Sequence, residues 1–123
     1  MKLGPLWLKI QIACGNALAM GPGKADLLEA IIAQGSISGA GRALGMSYRR
    51  AWLLVDEMNR CFDPVLVETL KGGGRERGAK VSATGLAVLE AYREMEREAA
   101  AIAERPAYVR LREHLRTEPI PTD

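Results

Sequence analysis

Two glycines four residues apart, Gly41 and Gly45, constrain the fold of this chain more than any other feature of its sequence. Gly41 lies within a short segment of helical pattern, residues 39–44, and Gly45 separates it from a longer one, residues 48–62. A small residue lets two helices cross closely, and glycine adopts the left-handed backbone of a tight turn without strain. The spacing therefore predicts a helix-turn-helix over residues 38–59.

Residues around this motif are suited to cap its helices and to pack between them. Serines before each helix offer N-caps, because their side-chain oxygens accept from unpaired backbone N–H groups. The longer helix carries one apolar stripe, formed by Ala51, Leu54, Val55, Met58 and Phe62. We expect the crossing to be packed by Leu44, Met46, Ala51 and Leu54.

A hairpin is predicted directly after the helix-turn-helix. The runs 65–70 and 79–82 favour β-strands, and residues 71–78 between them are basic and rich in glycine. A helix-turn-helix followed by such a hairpin is a winged helix. Ser82 can cap a last long helix through Glu104. We therefore expect a mainly α fold with a small β-hairpin wing: a winged helix-turn-helix domain over residues 1–82, then a long dimerisation helix and C-terminal tail over residues 83–123.

The other segments complete this domain. Residues 6–12 predict an opening strand, and residues 16–24 a short, turn-like linker. Residues 25–34 predict a helix that ends at a left-handed Gly35 and buries Leu27, Leu28, Ile31 and Ile32. In the tail, helical spacing recurs at Tyr108, Leu111 and Leu115.

The distribution of charge is more informative than its total. Lys and Arg number 17 against 15 Asp and Glu, and a net charge of +2 favours neither nucleic acid nor a membrane. Residues 42–80 hold eight basic and five acidic side chains, a balance of +3, whereas residues 84–104 hold two and five, a balance of −3. The basic surface coincides with the predicted helix-turn-helix and wing, which favours double-stranded DNA as a partner.

Other function classes receive no support from the residues. Two cysteines, Cys14 and Cys61, are too few for a disulfide scaffold and too distant for a C-x-x-C pair, which favours a reducing cytoplasm. No run approaches the roughly 20 apolar residues of a membrane span. His114 has no metal-ligand partner at the usual spacing, and no nucleophile has a plausible base. We expect no membrane association, no enzyme, no metal site and no cofactor.

Candidate DNA contacts lie in both helices of the motif and in the wing. The first turn of a recognition helix approaches base edges, where Arg can make two hydrogen bonds to guanine, and a wing lies along phosphates. The assigned residues are Ser36, Ser38, Ser47, Tyr48, Arg49, Arg50, Trp52, Arg75, Arg77 and Lys80. The alternatives are a solvated helix start, solvated wing charges, and a Trp52 that packs beneath the wing.

A second surface is predicted on the last helix. Residues spaced 3, 4, 3, 4 and 3 apart, as in a coiled-coil seam, are Gly85, Val88, Tyr92, Met95, Ala99 and Ile102. This seam predicts a homodimer. The alternative is packing on the protein's own domain, which we expect for the neighbouring Leu86 and Leu89.

Several strings of the sequence are similar to a known family: Gly35-Ser36-Ile37-Ser38, Gly45-Met46-Ser47-Tyr48-Arg49-Arg50-Ala51-Trp52, Glu57-Met58-Asn59, the glycine-rich wing and Ser82-Ala83-Thr84-Gly85. From about Lys9 to Ile102 the chain resembles the N-terminal domain of the molybdate-responsive ModE regulators, and more loosely LysR-type DNA-binding domains. The resemblance implies a dimeric winged-helix transcription factor, such as a repressor of molybdate-transport genes.

Oxyanion-binding domains follow this domain in the ModE family, whereas this sequence ends at Asp123. The resemblance therefore implies DNA and a second copy as partners, and no molybdate bound by this chain alone. The alternative function is a winged-helix protein-interaction module without DNA binding. Such a module would expose an apolar patch, rather than a basic one, on the helix of residues 48–62.

Overall fold

The computed structural model of the protein describes residues 2–3, 6–70 and 78–122. In this part, the helices are α1 Pro22–Gln34, α2 Ile37–Ala43, α3 Tyr48–Cys61, α4 Ala83–Ala99 and α5 Pro106–His114. Three antiparallel two-stranded sheets pair β1 (Lys2–Leu3) with β2 (Leu6–Trp7), β3 (Ile12–Cys14) with β4 (Ala17–Met20), and β5 (Val67–Thr69) with β6 (Ala79–Val81). The fold is mainly helical with a hairpin after α3, as the sequence predicts.

The helix-turn-helix forms around the two glycines. A Cβ on Gly41 would lie 3.2 Å from the carbonyl oxygen of Met46 and 3.4 Å from the Cβ of Ala51, so α2 and α3 approach closely there. Gly45 has a φ of 69°, in the left-handed region that glycine adopts at low cost. Both glycines therefore have the roles that the sequence predicts.

Three serine side chains fix the starts of helices. Each Oγ accepts a hydrogen bond from the backbone N–H three residues on, which satisfies a donor that the helix cannot pair. The pairs are Ser36 with Gly39 at 2.9 Å, Ser47 with Arg50 at 3.0 Å and Ser82 with Gly85 at 3.0 Å. Because Ser36 is the cap, α2 begins at Ile37, two residues before the predicted start.

One core lies between α1, α3, the wing strands and α4. Its fully buried side chains include Leu27, Leu28, Ile31, Met58, Leu66 and Tyr92. The predicted stripe of α3 is confirmed, with Leu54 and Phe62 packed at its margin. Two apolar predictions were wrong: Ile32 lies one step around α1 from the core face and is exposed, and Leu44 lies at the exposed end of α2.

The predicted opening strand over residues 6–12 is instead divided between two hairpins. Leu6 and Trp7 pair with β1, whereas Ile12 pairs with Met20 in β4. The reason is local: each half of the run has its own partner strand within a few residues along the chain. The predicted linker of residues 16–24 accordingly contains β4 and the first turn of α1, which begins at Pro22.

The last helix is shorter than predicted. α4 ends at Ala99 and continues as a 3₁₀ turn, Ala100–Glu104, before Arg105, which precedes a proline and has an extended backbone. On α4, Arg93 donates to Asp26 at 2.7 Å and to Glu29 at 2.6 Å, which fastens this helix to α1. Beyond it, Tyr108 of α5 packs on Leu6 in a second, smaller apolar cluster.

None of the helices in the described part is both long and apolar enough to cross a membrane.

Candidate nucleic-acid interface

The start of α3 presents an exposed, polar and basic surface. Ser47 caps the helix, and the side chains of Arg49 and Arg50 in its first turn are exposed. Tyr48, between them and the cap, is half-buried and packs against the core. We call the exposed residues Ser47, Arg49, Arg50 and Trp52 the reading surface. Tyr48 is better placed to support this surface than to extend beyond it.

The second turn of α3 adds apolar area to the same helix. Trp52 is 44% exposed and Leu53 is 42% exposed. More than half of the Trp52 side chain is therefore covered, and its outer part faces solvent. Next to them, Ala51 faces the crossing with α2 and is fully buried. Within one turn, the helix therefore has both exposed side chains and a side chain buried in the core.

The two serines of α2 have structural roles that the sequence assignment did not anticipate. Ser38 is 6% exposed, and its Oγ accepts a hydrogen bond from Nη1 of Arg42 at 2.7 Å. Because it is buried, Ser38 cannot reach DNA, and its assignment as a DNA contact is wrong. The Ser36 hydroxyl is half-buried and is engaged as the α2 cap.

Arg42 is a candidate contact that the sequence reasoning missed. Its side chain is exposed at the end of α2, and the bond to Ser38 orients its guanidinium group. The sequence indicates this contact only through the spacing of four residues between Ser38 and Arg42, which places both side chains on one face of a short helix.

The wing is described only at its base. Lys80 in β6 is exposed and lies opposite Glu68 in β5, so a carboxylate stands beside it. The predicted contacts Arg75 and Arg77 lie outside the described residues. The wing strands therefore provide one observable basic side chain.

Asn59 connects the wing to α3. Its Oδ1 accepts from the backbone N–H groups of Leu66 at 3.0 Å and Val67 at 3.1 Å, and its Nδ2 donates to the Val67 carbonyl at 2.9 Å. Ser82 closes the other end of the wing by donating to the Val65 carbonyl at 2.6 Å. These bonds fix the wing in position relative to the reading surface. In the sequence, Asn59 stands out only as part of the Glu57-Met58-Asn59 string.

An ion pair between a buried lysine and a partly exposed glutamate holds α3 from its other side. Lys24 in α1 is 3% exposed and donates to Oε1 of Glu57 at 2.6 Å. The Lys24 hydrogen bond, with a further one from the Leu18 backbone, holds the pKa of the Glu57 carboxyl below its usual range. Lys24, Glu57 and Arg50 line a cavity of about 310 Å³ beside the reading surface. No periodic pattern in the sequence indicates this pair.

The predicted dimer seam is divided by the structure. A Cβ on Gly85 would collide with the Leu66 carbonyl oxygen, and Tyr92 is 1% exposed, with its hydroxyl donating to the Ile10 carbonyl at 2.8 Å. Val88 packs against the same core. Gly85 and Tyr92 therefore belong to the interior of their own domain, and their assignment to a dimer surface is wrong, whereas Val88 is only partly buried at the margin of that core. Leu89 is buried as expected, whereas Leu86 is exposed.

The second half of the seam is open to solvent. Met95 and Ile102 are exposed, and Ala99 between them is partly buried. Further exposed apolar side chains follow on α5 and its extension, at Leu111 and Leu115. We call Met95, Ile102, Leu111 and Leu115 the C-terminal apolar residues.

Within the described residues, no group of three or more His, Cys, Asp or Glu side chains is arranged to hold a metal ion.

Known proteins with similar sequences are molybdenum-related regulators and binding proteins. The chain is 35% identical over 88 residues to the molybdenum-pterin-binding protein MopA of Rhodobacter capsulatus, covering 72% of this chain and 33% of MopA. It is 34% identical over 87 residues to the DNA-binding transcriptional dual regulator ModE of Escherichia coli, covering 71% of this chain and 32% of ModE. The chain thus spans about a third of the length of these curated relatives. No protein-family model matches it.

A solved structure with the same fold is full-length LysG, a LysR-type regulator from Corynebacterium glutamicum, with its effector Arg bound. The similarity has a TM-score of 0.50 at 30% identity and covers 76% of this chain and 30% of LysG. The matched parts of ModE and MopA are N-terminal. The chain is therefore a homologue of the ModE and MopA regulators, corresponds to their N-terminal part, and folds as a winged helix-turn-helix.

Proposed function

We propose that the chain is the DNA-binding part of a homodimeric transcription regulator, in which α3 enters the major groove of double-stranded DNA. The observation that carries this proposal is the exposed basic start of α3, held on a buried helix crossing at Gly41 and Ala51. A rigid helix with two neighbouring guanidinium groups at its N-terminal end fits the way such helices contact base edges. A regulator of chromosomal DNA in a bacterium would work in the cytoplasm.

The residues of the reading surface divide by the chemistry they offer. Arg49 and Arg50 carry planar, forked donors that match the two acceptors on guanine. The Ser47 hydroxyl and the Trp52 indole N–H are single donors suited to phosphate oxygens or to a base edge. Tyr48 supports the first turn from the core side.

Phosphate contacts are assigned to the flanks of the reading surface. Arg42 lies at the end of α2, before the turn, and Lys80 lies on the wing, which Asn59 holds against α3. Arg75 and Arg77 of the wing remain proposed phosphate contacts on the strength of their charge and their place in the hairpin. Contacts on both sides of a recognition helix fix its orientation in the groove.

The interaction-module alternative receives partial support from Trp52 and Leu53, which expose apolar area on α3. Their neighbours Arg49 and Arg50 make the surface basic as well as apolar. Apolar side chains on a recognition helix can contact thymine methyl groups. DNA binding therefore accounts for both features, whereas a purely apolar docking patch accounts for one.

The dimer is proposed to form through the C-terminal apolar residues. Met95 and Ile102 repeat the predicted seam spacing beyond the part of α4 that packs on its own domain, and Leu111 and Leu115 continue this apolar character on α5. Residues 84–104, which carry Met95 and Ile102, have a net charge of −3, which keeps this part of the face away from phosphates. A two-fold dimer would present two reading surfaces to a palindromic operator.

The relatives' names suggest the regulated genes. Two of the similar proteins, from Herbaspirillum seropedicae and Azotobacter vinelandii, are called molybdenum transport protein ModE. We propose that the operator of this regulator lies upstream of genes for molybdate uptake, and that binding there represses them.

Selection of bound fragments from genomic DNA, followed by sequencing, tests the DNA-binding proposal. We expect a palindromic site, and Arg49→Ala and Arg50→Ala should each weaken its binding by about 1–3 kcal/mol and relax sequence preference. Arg42→Ala should weaken all DNA alike and reduce the salt slope by about one. Arg60→Ala is the matched control, because Arg60 is exposed at the other end of α3.

If Arg49→Ala, Arg50→Ala and Arg60→Ala have equal effects on DNA affinity and sequence preference, α3 is not the helix that reads the DNA sequence. Enrichment of no sequence, combined with capture of a protein partner that Trp52→Ala abolishes, would favour the interaction module instead.

Sedimentation of the full chain tests the dimer. Met95→Glu with Ile102→Glu should give a monomer, since like charges would meet across the interface, and both side chains are exposed enough to change without disturbing the core. Leu86→Glu is the control on the buried half of α4, because Leu86 is exposed outside the proposed interface. A dimer that survives the first pair of changes would refute this interface.

A further inference from the structure

A groove with both apolar and basic walls lies between the β1–β2 hairpin and α5. Its volume is about 690 Å³. Apolar and basic side chains contribute equally to its lining, with Leu6, Trp7 and Leu115 on one hand and Lys2, Arg112 and Arg116 on the other. No carboxylate lies among the described residues that line it. The groove therefore suits a ligand that carries apolar and acidic groups side by side.

Aromatic rings hold two of these cations beside the apolar wall. Nζ of Lys2 lies 5.9 Å from the centroid of the Trp7 ring, and the guanidinium carbon of Arg112 lies 5.9 Å from the centroid of the Tyr108 ring. A cation over an aromatic face is attracted to it at such distances. Trp7 is 70% exposed and Leu115 is 58% exposed. Positive charge is thus held next to apolar area that faces solvent.

The end of α4 offers a complementary surface. Glu94 and Glu98 are exposed and lie one turn apart on the helix. Glu98 is three residues after Met95 and four before Ile102, a spacing that places it on the same face as these two exposed apolar side chains. We call Glu94, Met95, Glu98 and Ile102 the acidic face of α4. It combines the two kinds of group that the groove suits.

The two surfaces lie on consecutive segments of opposite charge. Residues 84–104 have a net charge of −3, whereas residues 105–116 hold four arginines and one glutamate, a balance of +3. In a two-fold dimer, each patch meets the same patch of the other copy in reversed order. The acidic segment of each copy then faces the basic segment of the other, whereas a dimer of α4 against α4 alone would bring glutamates to glutamates.

We propose that the groove receives the acidic face of α4 from a second copy of the chain, and that two such contacts form the dimer. The carboxylates of one copy pair with Arg112 and Arg116 of the other, and its apolar side chains pack on Trp7 and Leu115. Both surfaces are exposed within one chain, so neither covers the other there. The inference rests on the dimer of the proposed function and specifies which surfaces meet in it. Charge pairs contribute chiefly to specificity, so these pairs set the arrangement and the apolar contacts stabilise it.

Sedimentation of charge-reversal variants of the full chain tests this arrangement. Glu94→Lys with Glu98→Lys, and Arg112→Glu with Arg116→Glu, should each raise the dissociation constant of the dimer by about tenfold or more at low salt, because like charges then meet. An equimolar mixture of the two variants should dimerise as the unchanged protein does, since each segment again meets one of opposite sign. Recovery in the mixture also shows that both variants are folded.

Arg110→Glu and Glu113→Lys are the matched controls. Both side chains are exposed on α5, and neither lines the groove. Each change reverses a charge, as the test variants do, and should leave the dimer unchanged.

Four results would overturn the arrangement. If Met95→Glu with Ile102→Glu dissociates the dimer but neither charge variant weakens it, the dimer stands and other surfaces meet in it. A mixture that stays monomeric excludes the exchange of charges between copies. If Arg112→Glu with Arg116→Glu lowers DNA affinity and leaves the dimer intact, the groove binds phosphates instead. A chain that is monomeric at every concentration removes the dimer as well, while the selection of genomic fragments tests DNA binding by α3 separately.

Discussion

The side chain of Asn59 makes several hydrogen bonds between α3 and the buried base of the wing, so its replacement by alanine should cost much more stability than its size suggests. The side chain makes three bonds, of 2.9, 3.0 and 3.1 Å, to the backbone of Leu66 and Val67. Both partners are buried, at 0% and 2% exposure, so water does not readily replace the lost amide. At about 1 kcal/mol for each bond the loss is about 3 kcal/mol, a large part of the roughly 5–15 kcal/mol that stabilises a typical domain.

Urea denaturation followed by circular dichroism measures this loss. Arg60→Ala is the control one residue further along α3: its Nη1 lies 3.5 Å from Oδ2 of Asp56 in an exposed pair, worth less than about 1 kcal/mol. Asn59→Asp keeps the two acceptor bonds but loses the donor to the Val67 carbonyl, and should fall between Asn59→Ala and the unchanged protein. If Asn59→Ala is no less stable than Arg60→Ala, the amide does not hold the wing.

Three further predictions concern the stability of the domain, its dependence on pH and the binding of molybdate. Gly85→Ala should destabilise the fold by more than about 2 kcal/mol in the same urea assay, since its Cβ meets the Leu66 carbonyl, whereas Gly23→Ala has open space and should be neutral. The pKa of Glu57 is lower in the folded protein than in the unfolded chain. Its contribution to stability is therefore fully present above the ordinary pKa of a glutamate and is lost as the pH falls through the pKa of the folded state. Glu57→Gln should therefore flatten the loss of stability measured between pH 7 and 3, and an unchanged pH profile would contradict it. Titration of molybdate into the 123-residue chain should give no heat at micromolar concentrations, because the Glu57 carboxylate lines the cavity that also holds Lys24 and Arg50; stoichiometric binding would contradict this.

The helix-turn-helix was predictable because its determinants are local. Gly41 and Gly45 act through steric exclusion and backbone conformation, and both effects depend on the residue itself and its near neighbours. Ser47 and Ser82 are caps for the same reason, since each bonds to a backbone N–H three residues away. Such features can be read from a single sequence.

The seam was misjudged because periodicity reports which residues share a face but not what covers that face. Tyr92 satisfies the 3,4 spacing, yet its ring lies in the domain core and its hydroxyl reaches Ile10, 82 positions away. Packing against a coiled-coil partner and packing against the protein's own domain both require apolar residues at the same positions of α4. The exposed Met95 and Ile102 can be separated from Tyr92 only in three dimensions.

Polar contacts between distant elements left no signature in the sequence. Lys24 and Glu57 are 33 positions apart, and neither stands out from ordinary surface charges by its type or spacing. Ser38 was misassigned for a related reason: a serine near a helix start is equally suited to a cap, to a buried partner such as Arg42, and to a phosphate. Burial distinguishes these roles, and burial depends on tertiary packing.

These contacts divide α3 into two functional halves. From Ser47 to Trp52 the side chains are mostly exposed, and Arg49 and Arg50 are available to a ligand. From Val55 onward the helix is held by the apolar core, by the ion pair of its Glu57 with Lys24 and by the hydrogen bonds of its Asn59 to the wing base. Substitutions of the exposed Arg49 and Arg50 should therefore change DNA affinity with little change in stability, and those of Glu57 and Asn59 should change stability first. A reading helix fixed along its second half can enter a groove without having to be ordered on binding, so the cost of ordering is met when the domain folds.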